Sequence, residues 1–231
     1  MHFTEGSTGT VAFFAWLVLV VAGNVVIGVY QASRKLGGSA RRDAGIVAIG
    51  ILAWVGAISG AVASGAIEAE PVPRLMLLFG ASNLVAVLFA ASPMGSLLAR
   101  GLPIATLIWF QVFRLPLEMI LHLWAEAGVI PATMTWTGSN FDIVSGVLAL
   151  IAAPLAARSR GVAWLFNVVG LLLLINVGRV AMLSSPLPFA WNVQPPLQLA
   201  FHLPYAWIIP VCVGGALAGH LVLTRALLLK R

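Results

Sequence analysis

The sequence predicts an all-α fold: a polytopic transmembrane helical bundle of about seven spans that forms a single domain over residues 1–231. The first observation is composition, since apolar residues make up 61% of the chain, charged residues only 9%, and the mean hydropathy is +1.02. Soluble domains carry roughly 25% charged residues, so this composition indicates a chain that lies in lipid. The second observation is that apolar stretches of about 20 residues recur, which is the length that crosses a hydrocarbon core of about 30 Å.

Seven apolar stretches are predicted to be spans, because short segments rich in glycine, proline and charge separate them. They cover residues 10–30, 44–66, 74–99, 103–125, 141–157, 162–183 and 205–227. The first is predicted to be a span and not a cleaved signal peptide, since Glu5 is the only early charged side chain and the apolar part exceeds roughly 15 residues. Two glycine pairs at four-residue spacing, Gly56 with Gly60 and Gly215 with Gly219, predict close helix packing.

The positions of the Lys and Arg residues predict the orientation, because cytoplasmic loops of membrane proteins are enriched in positive charge. Only Arg74, at the start of the third predicted span, falls on the outer side. Ten cations fall on the other side: Arg34, Lys35, Arg41, Arg42, Arg100, Arg158, Arg160, Arg225, Lys230 and Arg231. Acidic residues are distributed the opposite way, with Glu5, Glu68, Glu70, Glu126 and Asp142 outside and Asp43 inside. The sequence therefore predicts an N-terminus outside and a cytoplasmic C-terminus, and the net charge of +6 indicates orientation and not a nucleic-acid partner.

The fourth predicted span carries most of the polar groups. Arg114, Glu118, His122 and Glu126 recur at four-residue spacing, so on a helix they form one stripe, which Gln111 extends one turn deeper. A charged side chain at the bilayer centre costs at least about 2.5 to 3.5 kcal/mol, so the stripe needs partners inside the bundle. The expected partner of Glu118 is Arg114 or Arg179, and Pro116 predicts a kink, since proline removes one helical hydrogen bond.

Other polar groups fall at a matching depth and predict a pocket in the outer half of the bundle. Asn140 and Asp142 open the fifth span, Asn176 and Arg179 lie in the outer half of the sixth, and His202 precedes the seventh. The predicted ligand-binding set is Gln111, Arg114, Glu118, His122, Asn140, Asp142, Asn176, Arg179 and His202. The alternative is that Arg114, Glu118 and Arg179 form a buried charge network that only fixes helix packing.

Several short motifs carry a resemblance to a known family. Phe113, Arg114 and Glu118 form a Phe-Arg-x3-Glu pattern, and residues 140–143 read Asn-Phe-Asp-Ile. Residues 186–189 read Pro-Leu-Pro-Phe, and residues 202–207 read His-Leu-Pro-Tyr-Ala-Trp. From the fourth span onward the chain resembles an uncharacterised family of bacterial seven-span integral membrane proteins. The resemblance implies a multi-pass protein of the bacterial cytoplasmic (inner) membrane, and it implies no activity.

Several function classes are disfavoured by what the sequence lacks. The only lysines are Lys35 and Lys230, at the cytoplasmic surface, so no lysine is placed for a retinal Schiff base. No phosphate-binding glycine loop, Gly-x-Ser-x-Gly elbow or CxxC pair occurs, so an enzyme is not favoured, although the question stays open. No cofactor is predicted. The alternatives are a zinc hydrolase using His122, His202 and Asp142, and a haem protein using His122 and His202 as axial ligands.

The predicted function is therefore the binding or translocation of a small solute or ion in the outer pocket. Glu118 or His122 would take up a proton, and Arg114 or Arg179 would hold an anionic group. The alternative from a different class is a non-catalytic structural or accessory membrane subunit. The expected partners are the lipid bilayer and a small solute or ion, with a homo-oligomer or a membrane partner subunit as a further possibility.

Overall fold

A computed structural model of the chain describes residues 3–67 and 73–229, and every regular element in these two ranges is helical. Four charged residues of the predicted orientation pattern, Glu68, Glu70, Lys230 and Arg231, lie outside the described residues. The α-helices are α1 Thr8–Lys35, α2 Ala40–Ala63, α3 Pro73–Ala91, α4 Pro93–Gly101, α5 Ile104–Trp109, α6 Arg114–Glu126, α7 Ile143–Ala156, α8 Arg160–Ser184 and α9 Gly214–Leu229. The predicted all-α fold class is confirmed.

Six helical segments of the described chain are long and apolar enough to cross a membrane. They are Thr8–Lys35, Ala40–Ala63, Arg74–Ala91, Ile104–Glu126, Arg160–Ser184 and Tyr205–Leu229. This set indicates a multi-pass membrane protein. The fifth predicted span corresponds to α7, which has only 14 residues. Such a helix is about 21 Å long, shorter than the hydrocarbon core.

The third predicted span, residues 74–99, is wrong as a single helix. The helix is interrupted at Ser92. The side-chain oxygen of Ser92 accepts hydrogen bonds from the backbone N–H groups of Met94, at 3.1 Å, and Gly95, at 3.3 Å. Pro93 has no N–H to continue the preceding helix and favours the first turn of a new one. A Cβ atom at Gly95 would lie 2.2 Å from the Ala90 carbonyl oxygen, so only glycine permits this sharp turn.

The fourth span also departs from a regular α-helix. A 3₁₀ turn, Phe110–Phe113, joins α5 to α6. Pro116 lacks the N–H that would bond the carbonyl of Val112 in an α-helix, so the irregular turn lies where that bond is missing. The last span has a comparable irregularity, since a π-helical turn, Ile208–Val213, precedes α9 and contains Pro210.

Hydrogen bonds from Arg225, Arg160 and Ser33 join several helix ends. Arg225 Nη1 donates to the carbonyl oxygens at the end of α3, including that of Ala90 at 3.0 Å. Arg160, which begins α8, donates to the carbonyl of Leu227 near the end of α9. Ser33 Oγ donates to Asp43 Oδ2 at 2.5 Å and ties the end of α1 to the start of α2. These ends form one end of the bundle, called the Arg-rich end here.

The opposite end of the bundle is closed by the segment that precedes α1. The backbone N–H of Gly6 donates to the hydroxyl of Tyr205 at 2.8 Å. Trp124 near the end of α6 donates from Nε1 to Thr10 Oγ1 at 3.0 Å. The ring of Phe3 stacks on His202 with centroids 3.9 Å apart. The N-terminal segment therefore lies across the ends of α6 and the last span.

The two glycine pairs have different surroundings. A Cβ atom at Gly219 would lie 2.5 Å from Gln111 Nε2, and one at Gly215 would lie 3.5 Å from Val21, so both allow α9 to pack closely. Gly56 and Gly60 have no neighbour within 4 Å of such an atom. The prediction of close packing is confirmed for α9 and wrong for α2 within this chain.

Candidate functional site

The candidate site begins at Arg114, the first residue of α6. Its side chain is buried, with 1% of the residue exposed, and Nη1 donates to Asp142 Oδ1 at 2.9 Å. The same carboxylate oxygen accepts a hydrogen bond from Ser145 Oγ at 3.1 Å. Glu118 was the predicted ion-pair partner of Arg114 or Arg179, and this pairing is wrong. The loop after α6 returns to the helix and places Asp142, 28 residues away in sequence, beside Arg114.

Glu118 lies one helical turn after Arg114 and is equally buried. Its two carboxylate oxygens accept hydrogen bonds from Asn140 Nδ2, at 3.0 and 3.3 Å. Asn140 Nδ2 also donates to the Met134 carbonyl at 3.1 Å, and Asn140 Oδ1 accepts from the backbone N–H of Asp142 at 3.1 Å. The side-chain amide of Asn140 therefore holds both acidic residues in place. Its Nδ2 group bonds the Glu118 carboxylate, and its Oδ1 atom bonds the backbone N–H of Asp142.

A cavity of about 70 Å³ lies against this charged group. Arg114, Glu118 and Asp142 line it together with Ser185, and the other lining residues are apolar. Among its apolar lining residues are Phe113, Leu117, Leu174, Ala181, Ile209 and Cys212. A space of this size holds a few water molecules. Only a small group fits without movement of the walls.

Arg114 keeps unused hydrogen-bonding capacity. Its Nε and Nη2 atoms are buried and have no hydrogen-bond partner, whereas Nη1 is bonded to Asp142. Nε–H and the adjacent Nη2–H of a guanidinium point in the same direction and form a planar two-donor edge. Such an edge matches the two oxygens of a carboxylate or another oxyanion. Its desolvation without a partner is unfavourable, so the edge is suited to a ligand.

The other predicted site residues lie outside this group. His122 stacks on Trp136 with centroids 4.3 Å apart, and its Nε2 is 3.4 Å from Glu126 Oε1. Gln111 is fully buried one turn deeper and donates to the carbonyl of Ala216 at 3.1 Å. The stripe therefore has a buried half at Arg114 and Glu118 and an accessible half at His122 and Glu126.

The contributions of the sixth span and the last loop are also separate. Asn176 donates to the backbone carbonyl of Ser139 at 2.8 Å, next to Asn140. Arg179 donates to Asn176 Oδ1 at 2.9 Å, and its guanidinium lies 5.7 Å from the ring centroid of Trp191 at the exposed surface. Asn176 thus supports the loop that carries the site, whereas Arg179 faces away from it.

His202 stacks on Phe3 of the segment that precedes α1, residues 3–7, which is called the N-terminal cover here. Desolvation lowers the pKa of His202 from its ordinary value of 6.5, and the nearby Glu5 carboxylate opposes this shift. The described residues contain no group of three or more His, Cys, Asp or Glu side chains placed to hold a metal ion. The zinc and haem alternatives, which need His122 and His202, stay predictions.

Sequence reasoning missed Ser145 as a contributor to buried polar structure. Ser145 follows Asp142 by three residues and donates a hydrogen bond to it. This spacing places two side chains on one helix face, so the sequence could have predicted the contact. Near the Arg-rich end, His220 Nδ1 lies 3.0 Å from Asn167 Oδ1, and Asn167 Nδ2 donates to Thr224 Oγ1 at 2.7 Å. These three residues form what is called the inner polar cluster here.

No protein-family model, no curated protein and no solved structure matches this chain. Three features of the chain itself indicate function: the buried ion pair, the amide of Asn140, and the unpaired Nε and Nη2 atoms of Arg114.

Proposed function

We propose that this chain is a seven-span protein of the bacterial cytoplasmic membrane, with the N-terminal segment outside and the Arg-rich end in the cytoplasm. The positive-inside rule supports this orientation. The described cations at the Arg-rich end are Arg34, Lys35, Arg41, Arg42, Arg100, Arg158, Arg160 and Arg225. In this orientation α7 crosses most of the bilayer inside the bundle, and the candidate site lies in the outer half.

We further propose that the protein binds a small solute in the outer cavity and passes it across the membrane. One observation carries the proposal: the side chain of a cavity-lining arginine is fixed at Nη1 by Asp142, and its buried Nε and Nη2 atoms have no partner. An intramembrane ionisable residue that lines a cavity is commonly part of a substrate or ion pathway. The fixed guanidinium needs little reorganisation on binding, which favours affinity.

The geometry favours a small oxyanion, such as formate, acetate or nitrate, as the ligand. The planar edge of Arg114 fits two oxygens, and the cavity of about 70 Å³ excludes larger molecules unless its walls move. Asp142 already balances the charge of Arg114, so an anion adds a net negative charge beside Glu118. Like charges within a few ångströms repel strongly in a low-dielectric site, so anion binding favours a protonated Glu118. The proposal therefore couples anion entry to proton entry.

The test is ligand-dependent stabilisation of the purified chain in mild detergent, using formate, acetate and nitrate as probes. Arg114→Lys keeps a positive charge near Asp142 but loses the two-donor edge. The apparent affinity for acetate, measured from the stabilisation, should therefore fall at least tenfold. Arg179→Lys is the matched control, since Arg179 lies at the exposed surface, and it should bind like the original chain. Equal binding by Arg114→Lys and the original chain would contradict the proposal.

A structural accessory subunit is the second candidate, favoured by one specific observation. Each carboxylate of the site already has partners within the chain, so the network could serve only to fix the loop between α6 and α7. Replacing Arg114 and Asp142 together by leucine separates the two candidates. The variant with the matched apolar pair should fold under either candidate. Only a binding protein has a ligand to lose, so loss of acetate-dependent stabilisation in the folded double variant would favour binding.

A further inference from the structure

A second, larger opening lies between α2 and α3, away from the charged site. It is a groove of about 310 Å³ with α1 and the last span as its floor. Its lining is apolar or small and includes Val21, Gly50, Ile51, Val85, Phe89 and Gly214. The π-helical turn Ile208–Val213 separates the two spaces. Ile209 and Cys212 face the outer cavity, and Pro210 and Val211 line the groove.

Two hydrogen-bonding groups in the groove lining have no partner. They are the indole Nε1 of Trp54 and the hydroxyl of Ser82, which is 3% exposed. Two other indoles of the chain have a partner. Trp207 Nε1 donates to Ser59 Oγ at 2.9 Å, and Trp124 Nε1 donates to Thr10 Oγ1 at 3.0 Å. A buried tryptophan N–H normally finds a partner, so the buried Nε1 atom of Trp54 is unusual in having none.

Ser82 is unusual for a serine in an apolar helix. Ser59 Oγ donates to the Val55 carbonyl four residues earlier at 2.8 Å, and Ser185 Oγ donates to the Ala181 carbonyl at 2.7 Å. This local bond is the common solution for a helical serine, but Ser82 does not make it. Since an unpaired buried hydroxyl or indole N–H costs about 1 to 3 kcal/mol, a partner supplied from the groove is favoured.

The depth of these two groups restricts what the partner is. Ser82 is the central residue of the 19 in α3, and Trp54 is the fifteenth of the 24 in α2. At a rise of 1.5 Å per residue, Trp54 is about 4 Å from the midpoint of its helix. The ester oxygens of bilayer phospholipids lie near the edge of the hydrocarbon core, about 15 Å from the midplane. A phospholipid chain in the groove would therefore offer only methylene groups at this depth.

We propose that the groove binds a lipid-soluble molecule that carries a carbonyl oxygen on an apolar body, of the isoprenoid-quinone class. Trp54 Nε1–H and the Ser82 hydroxyl both serve as donors to carbonyl oxygen, and an elongated apolar tail matches the rest of the lining. The volume falls at the lower end of the range of about 300 to 1,000 Å³ typical of ligand pockets. The assignment is independent of the solute proposed for the outer cavity.

The experiment uses the full chain in nanodiscs of dimyristoylphosphatidylcholine, with tritiated decylubiquinone as the probe. Binding is the saturable excess over empty nanodiscs. The original chain labelled with 5-fluorotryptophan locates the probe by ¹⁹F NMR, where the Trp54 resonance is assigned by its loss in Trp54→Phe. We expect one probe per chain and a saturable shift of the Trp54 resonance, with no shift for the exposed Trp16.

Matched variants test each part of the site. Trp54→Phe and Ser82→Ala should each weaken binding about two- to tenfold, the usual effect of one lost hydrogen bond. Gly50→Leu should weaken it more than tenfold, because a Cβ atom at Gly50 meets nothing within 4 Å and the new side chain fills the groove. Trp207→Phe and Gly56→Leu are the controls, since neither residue lines the groove, and both should bind normally.

Three outcomes would overturn the assignment. The first is the absence of saturable binding to the original chain. The second is that decylbenzene, which has the tail without an oxygen, displaces the probe as well as unlabelled decylubiquinone does, while Trp54→Phe retains full affinity. That result would mean a groove for plain acyl chains. The third is a groove blocked by a second copy, seen as two chains per disc with no bound probe. If Gly50→Leu does not fold, the affinities of Trp54→Phe and Ser82→Ala and the competition by decylbenzene still test the assignment.

Discussion

The outer site and the inner polar cluster use similar residues with different results. In each, a buried asparagine holds an ionisable side chain: Asn140 holds Glu118 in the outer site, and Asn167 holds His220 in the inner cluster. The outer group lines a cavity, whereas the imidazole of His220 is packed against Gly170. A Cβ atom at Gly170 would lie 2.3 Å from His220 Cε1, so no space remains there.

The difference shows that a buried ionisable residue indicates a site only where space and unused donors occur together. Because Asn167 Nδ2 is bonded to Thr224, its Oδ1 accepts from His220, which fixes the proton of a neutral imidazole on Nδ1. His220 Nε2 is then an acceptor without a partner, but the backbone of α8 lies against the ring. The inner cluster is therefore suited to joining α8 and α9, and Arg114 is suited to holding a ligand.

The largest expected effect is on stability, at the outer ion pair. Asp142→Ala leaves the buried guanidinium of Arg114 without its counter-charge, which should lower the free energy of unfolding by about 3 to 5 kcal/mol. The measurement is reversible unfolding in mixed micelles with increasing dodecyl sulfate. Glu126→Ala is the control, because its contact with His122 is exposed and should contribute less than about 1 kcal/mol. Equal losses in the two variants would mean that the Arg114–Asp142 pair does not stabilise the fold.

The second effect tests whether the inner cluster is closed. Gly170→Ala should destabilise the chain by about 1 to 3 kcal/mol, because the new methyl group overlaps the His220 ring. Gly178→Ala is the matched control in the same helix, since its Cβ atom would meet Phe79 at an ordinary 3.5 Å. That control should be neutral or stabilising, as alanine favours helix over glycine by up to about 1 kcal/mol. A stable Gly170→Ala variant would indicate hidden space beside His220.

Sequence reasoning placed Arg114 and Glu118 on one buried helix face but did not predict the partner of either correctly. The four-residue spacing of Arg114 and Glu118 correctly predicted one buried polar face, because helical periodicity is local. The Arg114–Asp142 pair spans 28 residues and depends on the path of the loop between α6 and α7, which no periodicity encodes. The groove at Trp54 and Ser82 was not predicted for the same reason, since each residue is isolated in its own helix.

A smaller effect concerns the proposed proton coupling. Glu118→Gln keeps an acceptor oxygen for Asn140, so the free energy of unfolding should change by no more than about 1.5 kcal/mol. The amide carries no charge at any pH, so acetate binding by this variant should depend less on pH than binding by the original chain. It should be tighter than in the original chain only at the alkaline end of the range, where a charged Glu118 repels the anion. The measurement is acetate-dependent thermal stabilisation between pH 5 and pH 8. Loss of acetate binding in this variant, with folding intact, would mean that acetate needs the Glu118 carboxyl itself, which contradicts the proposed repulsion between Glu118 and the anion.

The smallest expected effect is local and lies outside the membrane, at the stack of His202 on Phe3. Burial lowers the pKa of His202 below 6.5, so the unfolded segment binds more protons than the folded one in that range. Stability of the N-terminal cover is therefore present above pH 6.5 and is lost as the pH falls through the lowered pKa. Hydrogen exchange at residues 3–7 should become faster between pH 7 and pH 5, after correction for intrinsic rates. His202→Phe keeps an aromatic stack without a titrating group and should remove this dependence, whereas persistence of the dependence in that variant would mean that His202 does not cause it.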